Sequence, residues 1–306
     1  MLRLRYSLFA LLLSLTPGHP VAAQTLANAE ASVKANAGSA EAWIALARAR
    51  LQAGKAELAI AAAEKATQVD PRNAQAFYWL GNSYGARISQ VSMFSKMGMA
   101  SKLRDAFERS VVLDPANLQA RSALIEFYLQ APGVVGGGVD KAQLQANEIG
   151  KRDKFEGAMA RGRIALYEKN FDQALDFYQA ASAAKPADSN SRMALAMTYQ
   201  QMEKWPDAFR LLRTWVAQDP SAGLAWYQLG RACAVSGQNL EEGAVALGRY
   251  LKMPHGKNEP QSQHAYYRLG QIQAKAGRKA EARASLQAAL KLDPNYADAR
   301  AELAKL

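Results

Sequence analysis

Ala131 to Ala142 reads APGVVGGGVDKA, four glycines and a proline ahead of an Asp-Lys pair. A glycine-rich loop that feeds a helix can cradle phosphate on its backbone N–H groups, so nucleotide chemistry is the first possibility to test. A phosphate loop wants a preceding strand and Gly-Lys-Ser/Thr at the helix start. Here LQARSALIEFY, a helical stretch, precedes it, and Gly138 is followed by Val139-Asp140-Lys141, so both requirements fail. The segment reads as a wide turn between helices, with Asp140 placed to cap the second. A mobile contact loop is the other role open to it. The one cysteine, Cys233, has no partner for a disulfide, and a thiol in an apolar helical stretch reads as core. His255 and His264 have no Cys, His or carboxylate neighbours at metal-ligand spacing. No Ser-His-Asp, Cys-His or paired-carboxylate arrangement stands out, so the expectation is a non-enzyme with no catalytic residues, no metal site and no cofactor.

The elements that would position any site begin after a leader. MLRLRYSLFALLLSLTPGHPVAAQ places Arg3 and Arg5 before an apolar run from Leu8 to Leu15, then Pro17 and Gly18, then Val21-Ala22-Ala23. This is the pattern of a secretory signal peptide, residues 1–23, cut before Gln24. The run is shorter than the roughly 20 residues a spanning helix needs, and no later segment supplies them, so no membrane anchor is expected after cleavage. The formal charge of +11 falls to +9 when Arg3 and Arg5 leave with the leader. That excess favours acidic proteins, anionic headgroups or cell-wall polymers; for an exported chain, nucleic acid is not an expected partner.

Prolines recur at regular points: VDPRN at Pro71, LDPAN at Pro115, AKPAD at Pro186, QDPSA at Pro220 and LDPNY at Pro294. Pro186 to Pro220 is one unit of 34 residues, and the other gaps are whole units plus insertions. WIALARAR, FYWLGNSY, WYQLGRAC and YYRLGQIQ share an aromatic, a leucine three residues later, then Gly or Ala. In the second half of the units Ala174 and Tyr178, Ala208 and Leu212, and Ala282 and Leu286 sit four apart.

These residues resemble the tetratricopeptide repeat family, whose pattern is W-x2-L-G-x2-Y, then A-x3-F, then P. The resemblance implies an all-α fold, a right-handed α-solenoid superhelix of about seven helix hairpins beginning near Ala40, Ala74, Leu118, Phe155, Ser189, Gly223 and Gln263. Residues 24–39 then form an N-terminal capping helix, 40–295 the solenoid, with insertions near 86–102 and 131–140, and 296–306 a closing helix. Small residues such as Gly81, Gly230 and Gly270 let paired helices approach closely, and each proline forces the chain out of the helix before it.

The family's geometry turns the second, fifth, ninth and twelfth positions of each first helix toward a concave groove. On this chain that selects Arg48, Tyr78, Asn82, Glu126, Met159, Arg163, Met193, Met197, Tyr227, Arg231, His264 and Tyr267. Arginines interleaved with tyrosines suit a peptide or protein of acidic character. Some relatives hold a C-terminal carboxylate with a clamp of Lys and Asn; Ile44 and Arg48 stand in its first-unit positions, so this chain departs from it. The insertion around Met93, Phe94, Met97 and Met99 has the adaptable composition of a docking surface, or extends both helices of its hairpin. The whole reads as a periplasmic, non-enzymatic scaffold or assembly factor that binds partners along its groove. Two rivals stand beside it: a charge-driven binder of anionic polymer or membrane, and an enzyme whose site the repeats conceal.

Overall fold

The computed structural model describes residues 20–88, 90–256 and 259–306, without the side chains of 20–23, 93 and 94. The predicted signal segment, 1–23, therefore lies for the most part outside the described residues. Among those residues the chain is all-α, sixteen α-helices and one short 3-10 turn. No described helix is long and apolar enough to cross a membrane.

The chain divides into two compact units, residues 1–164 and 165–306. In the first, α1 (Pro20–Ala35) packs on the hairpin α2 (Ala40–Gln52) and α3 (Ala56–Val69). The pairs α4 (Ala74–Ile88) with α5 (Met93–Leu113), and α6 (Leu118–Gln130) with α7 (Val139–Arg152), follow. The unit ends within α8 (Lys154–Tyr167). In the second unit α9 (Phe171–Ala184) packs on α10 (Ser189–Gln201), which pairs with α11 (Trp205–Gln218). Two more hairpins follow, α12 (Gly223–Ser236) with α13 (Leu240–Tyr250) and α14 (Ser262–Lys275) with α15 (Lys279–Leu292). The short α16 (Ala297–Leu303) packs on α15.

Close approach within the hairpins rests on the glycines. A Cβ on Gly81 would lie 2.6 Å from the Phe107 ring, on Gly230 2.4 Å from Leu247, and on Gly270 2.7 Å from Leu286. Each glycine belongs to a first helix and each large residue to its paired second helix, so only a bare backbone fits there. The Asp-Pro turns add a polar lock. The carboxylates of Asp70, Asp114, Asp219 and Asp293 each accept the backbone N–H two residues on, at 2.9 to 3.0 Å, closing an Asx turn around the proline. The next helix is capped by Asn117 after Asp114-Pro115, and by Asp188 after Lys185-Pro186; each side chain accepts an N–H three residues on.

Two further ties recur at fixed register. Trp43, Arg121, Arg192, Trp226 and Arg300 occupy the fourth position of their helices, and each donates a side-chain N–H to the carbonyl six residues earlier. Indole and guanidinium do the same task, stitching these five helices to the turns before them. At the eleventh position Tyr84 donates to Glu64, Tyr128 to Glu108, and Tyr199 accepts from Gln179, always 20 residues back on the preceding second helix. Burial, then the hydrogen-bonded glutamate, pushes the Tyr84 and Tyr128 phenols well above their usual range, so both stay neutral donors.

The turns inside the hairpins need one left-handed residue. Gly54 and Gly277 supply it at φ 72° and 77°, while Lys169 and Glu203 adopt it at φ 61° and 56° with a Cβ. Replacing the exposed Glu203 by glycine should therefore raise stability by about 0.5–1 kcal/mol, read as a higher denaturant midpoint at unchanged slope.

The insertions take forms that the sequence left open. Most of the first goes into α5, which is 21 residues long against 14 for α3 and α7, and α4 at 15 is two longer than α2, so both helices of the hairpin extend. In the second, Gly133–Val135 form the 3-10 turn and α7 starts at Val139 with Gly138 as its N-cap. Asp140 is thus not the cap; it sits in the first turn, where its charge still favours the helix N-terminus. A Cβ on Gly137 would meet the Ala131 carbonyl at 1.8 Å, so this glycine is required by the fold of the turn.

Candidate functional site

In the N-terminal unit the first-helix face carries two open depressions that share Arg48. One, about 380 Å³, lies between α1 and α2, with Thr25, Asn28 and Ser32 facing Ala45, Arg48 and Gln52. The other, about 310 Å³, lies between α2 and α4, with Glu41, Ile44 and Arg48 facing Asn73, Gln75 and Trp79. Arg48 is exposed, its guanidinium 5.1 Å from the centre of the Trp79 ring. No hydrogen bond or ion pair engages that guanidinium among the described residues. Glu41 is held away from it by Ser39 and Asn73, which donate to its two carboxylate oxygens at 3.1 and 3.2 Å. The result is a cation lying on an aromatic plate with its donors still available.

The other predicted groove residues divide by what already occupies them. Arg163 donates to Glu126 at 2.6 Å, a half-exposed pair that an acidic partner would have to displace. Tyr78 packs its ring 5.9 Å from Phe107 of the paired helix, and Asn82 donates to the Tyr78 carbonyl at 2.8 Å. Both therefore serve their own hairpin. In the C-terminal unit Tyr227 and Tyr267 are only 7% and 8% exposed. The Tyr227 ring lies 5.3 Å from Tyr250 of α13, and Tyr267 lies 5.2 Å from Tyr296, the residue that precedes α16. A ring at the fifth position is covered by the following element, so these two tyrosines present little surface to a partner. Arg231 donates to Gln200 at 2.6 Å and stays half-buried. Met197 is exposed, while Met193 packs partly against the core. His264 meets the Tyr296 hydroxyl at 3.2 Å and its ring edge-on, and burial followed by the nearby Arg268 lowers its pKa, which favours neutral imidazole. Of the inserted methionines, Met97 is exposed and Met99 packs against the core; the side chains of Met93 and Phe94 lie outside the described residues.

Residues 44–84, 165–233 and 263–296 each match a tetratricopeptide repeat family pattern. Solved structures agree in fold. A tetratricopeptide repeat protein from Parabacteroides merdae superimposes with TM-score 0.57 at 13% identity, over 86% of this chain and 97% of that one. The chain is a tetratricopeptide repeat protein. The human IFIT1 dimer, solved with PPP-AAAA, gives TM-score 0.58 at 17% identity over 92% of this chain and 68% of that one. The Cut9–Hcn1 hetero-tetramer of the APC/C gives 0.54 at 15% over 93% and 46%. At these identities the likeness is one of fold. No curated protein matches the sequence.

Tetratricopeptide register explains what sequence reasoning passed over. Trp79 stands at the sixth position of its helix, one beyond the fifth-position residue singled out, and it is the aromatic under Arg48. Glu41 and Gln75, both at second positions, complete the same face. The fold suggests a scaffold for protein–protein interaction, and in this tetratricopeptide repeat protein Arg48 lies on Trp79 between two open depressions.

Cys233 is fully buried, and burial followed by the Glu242 charge pushes its thiol up to about 12. The thiolate is the reactive form, so native protein at pH 8 should not react with a disulfide reagent, whereas denatured protein should release one full equivalent of chromophore.

Proposed function

We propose that this protein is an exported scaffold of the cell envelope that binds partner proteins through peptide segments laid on the first-helix faces of its repeats. In the N-terminal unit Arg48 and Trp79 supply the main contact. In the C-terminal unit the exposed Met197 supplies a second, softer one. The observation that carries this reading is the unengaged guanidinium of Arg48 on the Trp79 ring, between two open depressions. A carboxylate can pair with the outward donors of Arg48, while an apolar neighbour in the peptide covers the indole and enters a depression. The expected partner segment is therefore acidic and apolar in alternation. Export rests on the arginine-flanked apolar run and the Val21-Ala22-Ala23 site; a periplasmic form beginning at Gln24, identified by its intact mass, is the expected product.

Panning a displayed random-peptide library on residues 24–306 should enrich such segments. A double variant, Arg48→Glu with Trp79→Ala, should bind the enriched peptides at least about tenfold more weakly while keeping its helical circular dichroism. Equal affinity in the variant would remove Arg48 and Trp79 from the function.

A further inference from the structure

We propose that the edge of the N-terminal unit formed by the starts of its second helices docks on an anionic lipid bilayer. This surface is separate from the face that carries Arg48. It is built by α3, α5 and α7 together with the turns that lead into them, and both insertions of the sequence fall on it. The two insertions are joined there: Arg104 of α5 donates to the Val135 carbonyl at 2.7 Å, and a Cβ on Gly136 would stand 2.5 Å from the same guanidinium.

Leu58, Met97, Val134 and Leu144 are 49%, 49%, 78% and 63% exposed, and all four lie on this edge. They come from the first or second turn of α3, α5 and α7, or from the glycine-rich turn itself. Each of the three helical residues has a lysine beside it. Lys55 precedes Leu58 by three residues, Lys141 precedes Leu144 by three, and Lys96 adjoins Met97. Residues three apart on a helix share a face, so apolar tip and cation pair at the starts of α3 and α7, whereas Lys96 and Met97, adjacent in α5, diverge. Lys102 adds a fourth cation, its Nζ 5.9 Å from the Tyr84 ring.

The charges without an ion pair on this edge are lysines, one of which, Lys141, donates to the Gly136 carbonyl at 2.9 Å. Its arginines are engaged: Arg87 with Glu57 at 3.3 Å, Arg104 with Asp105 at 2.6 Å, and Arg50 with the Leu58 carbonyl at 2.9 Å. Those pairs also neutralise Glu57 and Asp105. Among the described residues Lys55, Lys96, Lys102 and Lys141 have no ion-pair partner, against one exposed acid without a pair, Asp140. Arginine is the residue that recognises carboxylates bidentately, so an edge whose arginines are spent is poorly made for an acidic protein. Lysine is a point charge on a flexible stem, suited to headgroup phosphates that have no fixed position. Separate apolar tips between such lysines match a bilayer interface, where each side chain enters alone.

Flotation with lipid vesicles tests this. Residues 24–306 should be used, because the apolar run Leu8 to Leu15 would enter a bilayer unaided. The protein should float with phosphatidylcholine vesicles that contain phosphatidylglycerol and not with phosphatidylcholine alone. Reversing Lys55, Lys96, Lys102 and Lys141 to glutamate should weaken binding by about a hundredfold or more. Reversing Lys65, Lys252, Lys279 and Lys291, the same change in net charge placed elsewhere, should cost far less. Met97→Ser with Val134→Ser, which leaves the charge untouched, should weaken binding by about tenfold. Circular dichroism checks that every variant is folded. The proposal is overturned by equal loss in the two charge variants, by equal binding to neutral vesicles, or by no flotation at low salt even if this edge captures an acidic protein.

Discussion

Truncating Trp215 to alanine should destabilise the protein by about 3–5 kcal/mol, lowering the thermal midpoint of the C-terminal unit by roughly 10 °C. Trp215 is 2% exposed and is the largest side chain buried to that depth. It belongs to a cluster with Phe209, Leu212 and Val216 of its own helix, and with residues of α10, α12 and α13. Arg192 lies 5.8 Å from its ring centre while also tying α10 to the preceding turn. Alanine would remove the transfer energy of the indole and leave a cavity that close-packed helices cannot collapse to fill. Calorimetry on the variant measures the shift; a loss below about 1 kcal/mol would mean that α11 is not packed as described.

The opposite error, adding volume, should be costly at Gly230. Valine there should destabilise by about 1–3 kcal/mol, because its Cβ would lie 2.4 Å from Leu247 Cγ and 3.1 Å from the Gly243 carbonyl. Leu247 is fully buried and Gly243 is backbone, so neither can give way without parting α12 from α13. The same substitution at Gly248, where a Cβ would meet nothing within 4 Å, is the control and should cost nothing, because valine is the better helix former of the two. Denaturant titration of both should separate them by well over 1 kcal/mol; equal midpoints would contradict the close approach of the hairpin helices.

The repeat spacing made the hairpins legible, since prolines, small residues and leucines recur at fixed offsets and packing demands them there. The hydrogen-bond equivalences were harder to see. Trp226 and Arg192 look unrelated as residue types, yet each donates to the carbonyl six residues back, a likeness that appears only when the turn is folded. Groove positions were legible by register alone, and register does not say what covers a side chain. Tyr227 and Tyr267 sit at the same fifth position as Ile44, but Tyr250 and Tyr296 lie over them. Trp79 was passed over because its importance comes from Arg48 on the neighbouring hairpin, 31 residues earlier in the chain. The arginines show the same limit: Arg163 and Arg231 are taken up by Glu126 and Gln200, and sequence alone could not separate them from Arg48.

Photo-crosslinking in cells tests the central proposal most directly. A photoreactive residue would replace Ala45 or Gln75, exposed neighbours of Arg48 and Trp79, or, as the contrast, Val112, which is 67% exposed on the second helix α5. A partner held on the first-helix face predicts a discrete protein adduct from positions 45 and 75, absent from 112 and lost when Arg48→Glu is added. Adducts from Val112 alone, or adducts at 45 and 75 that survive Arg48→Glu undiminished, would contradict it.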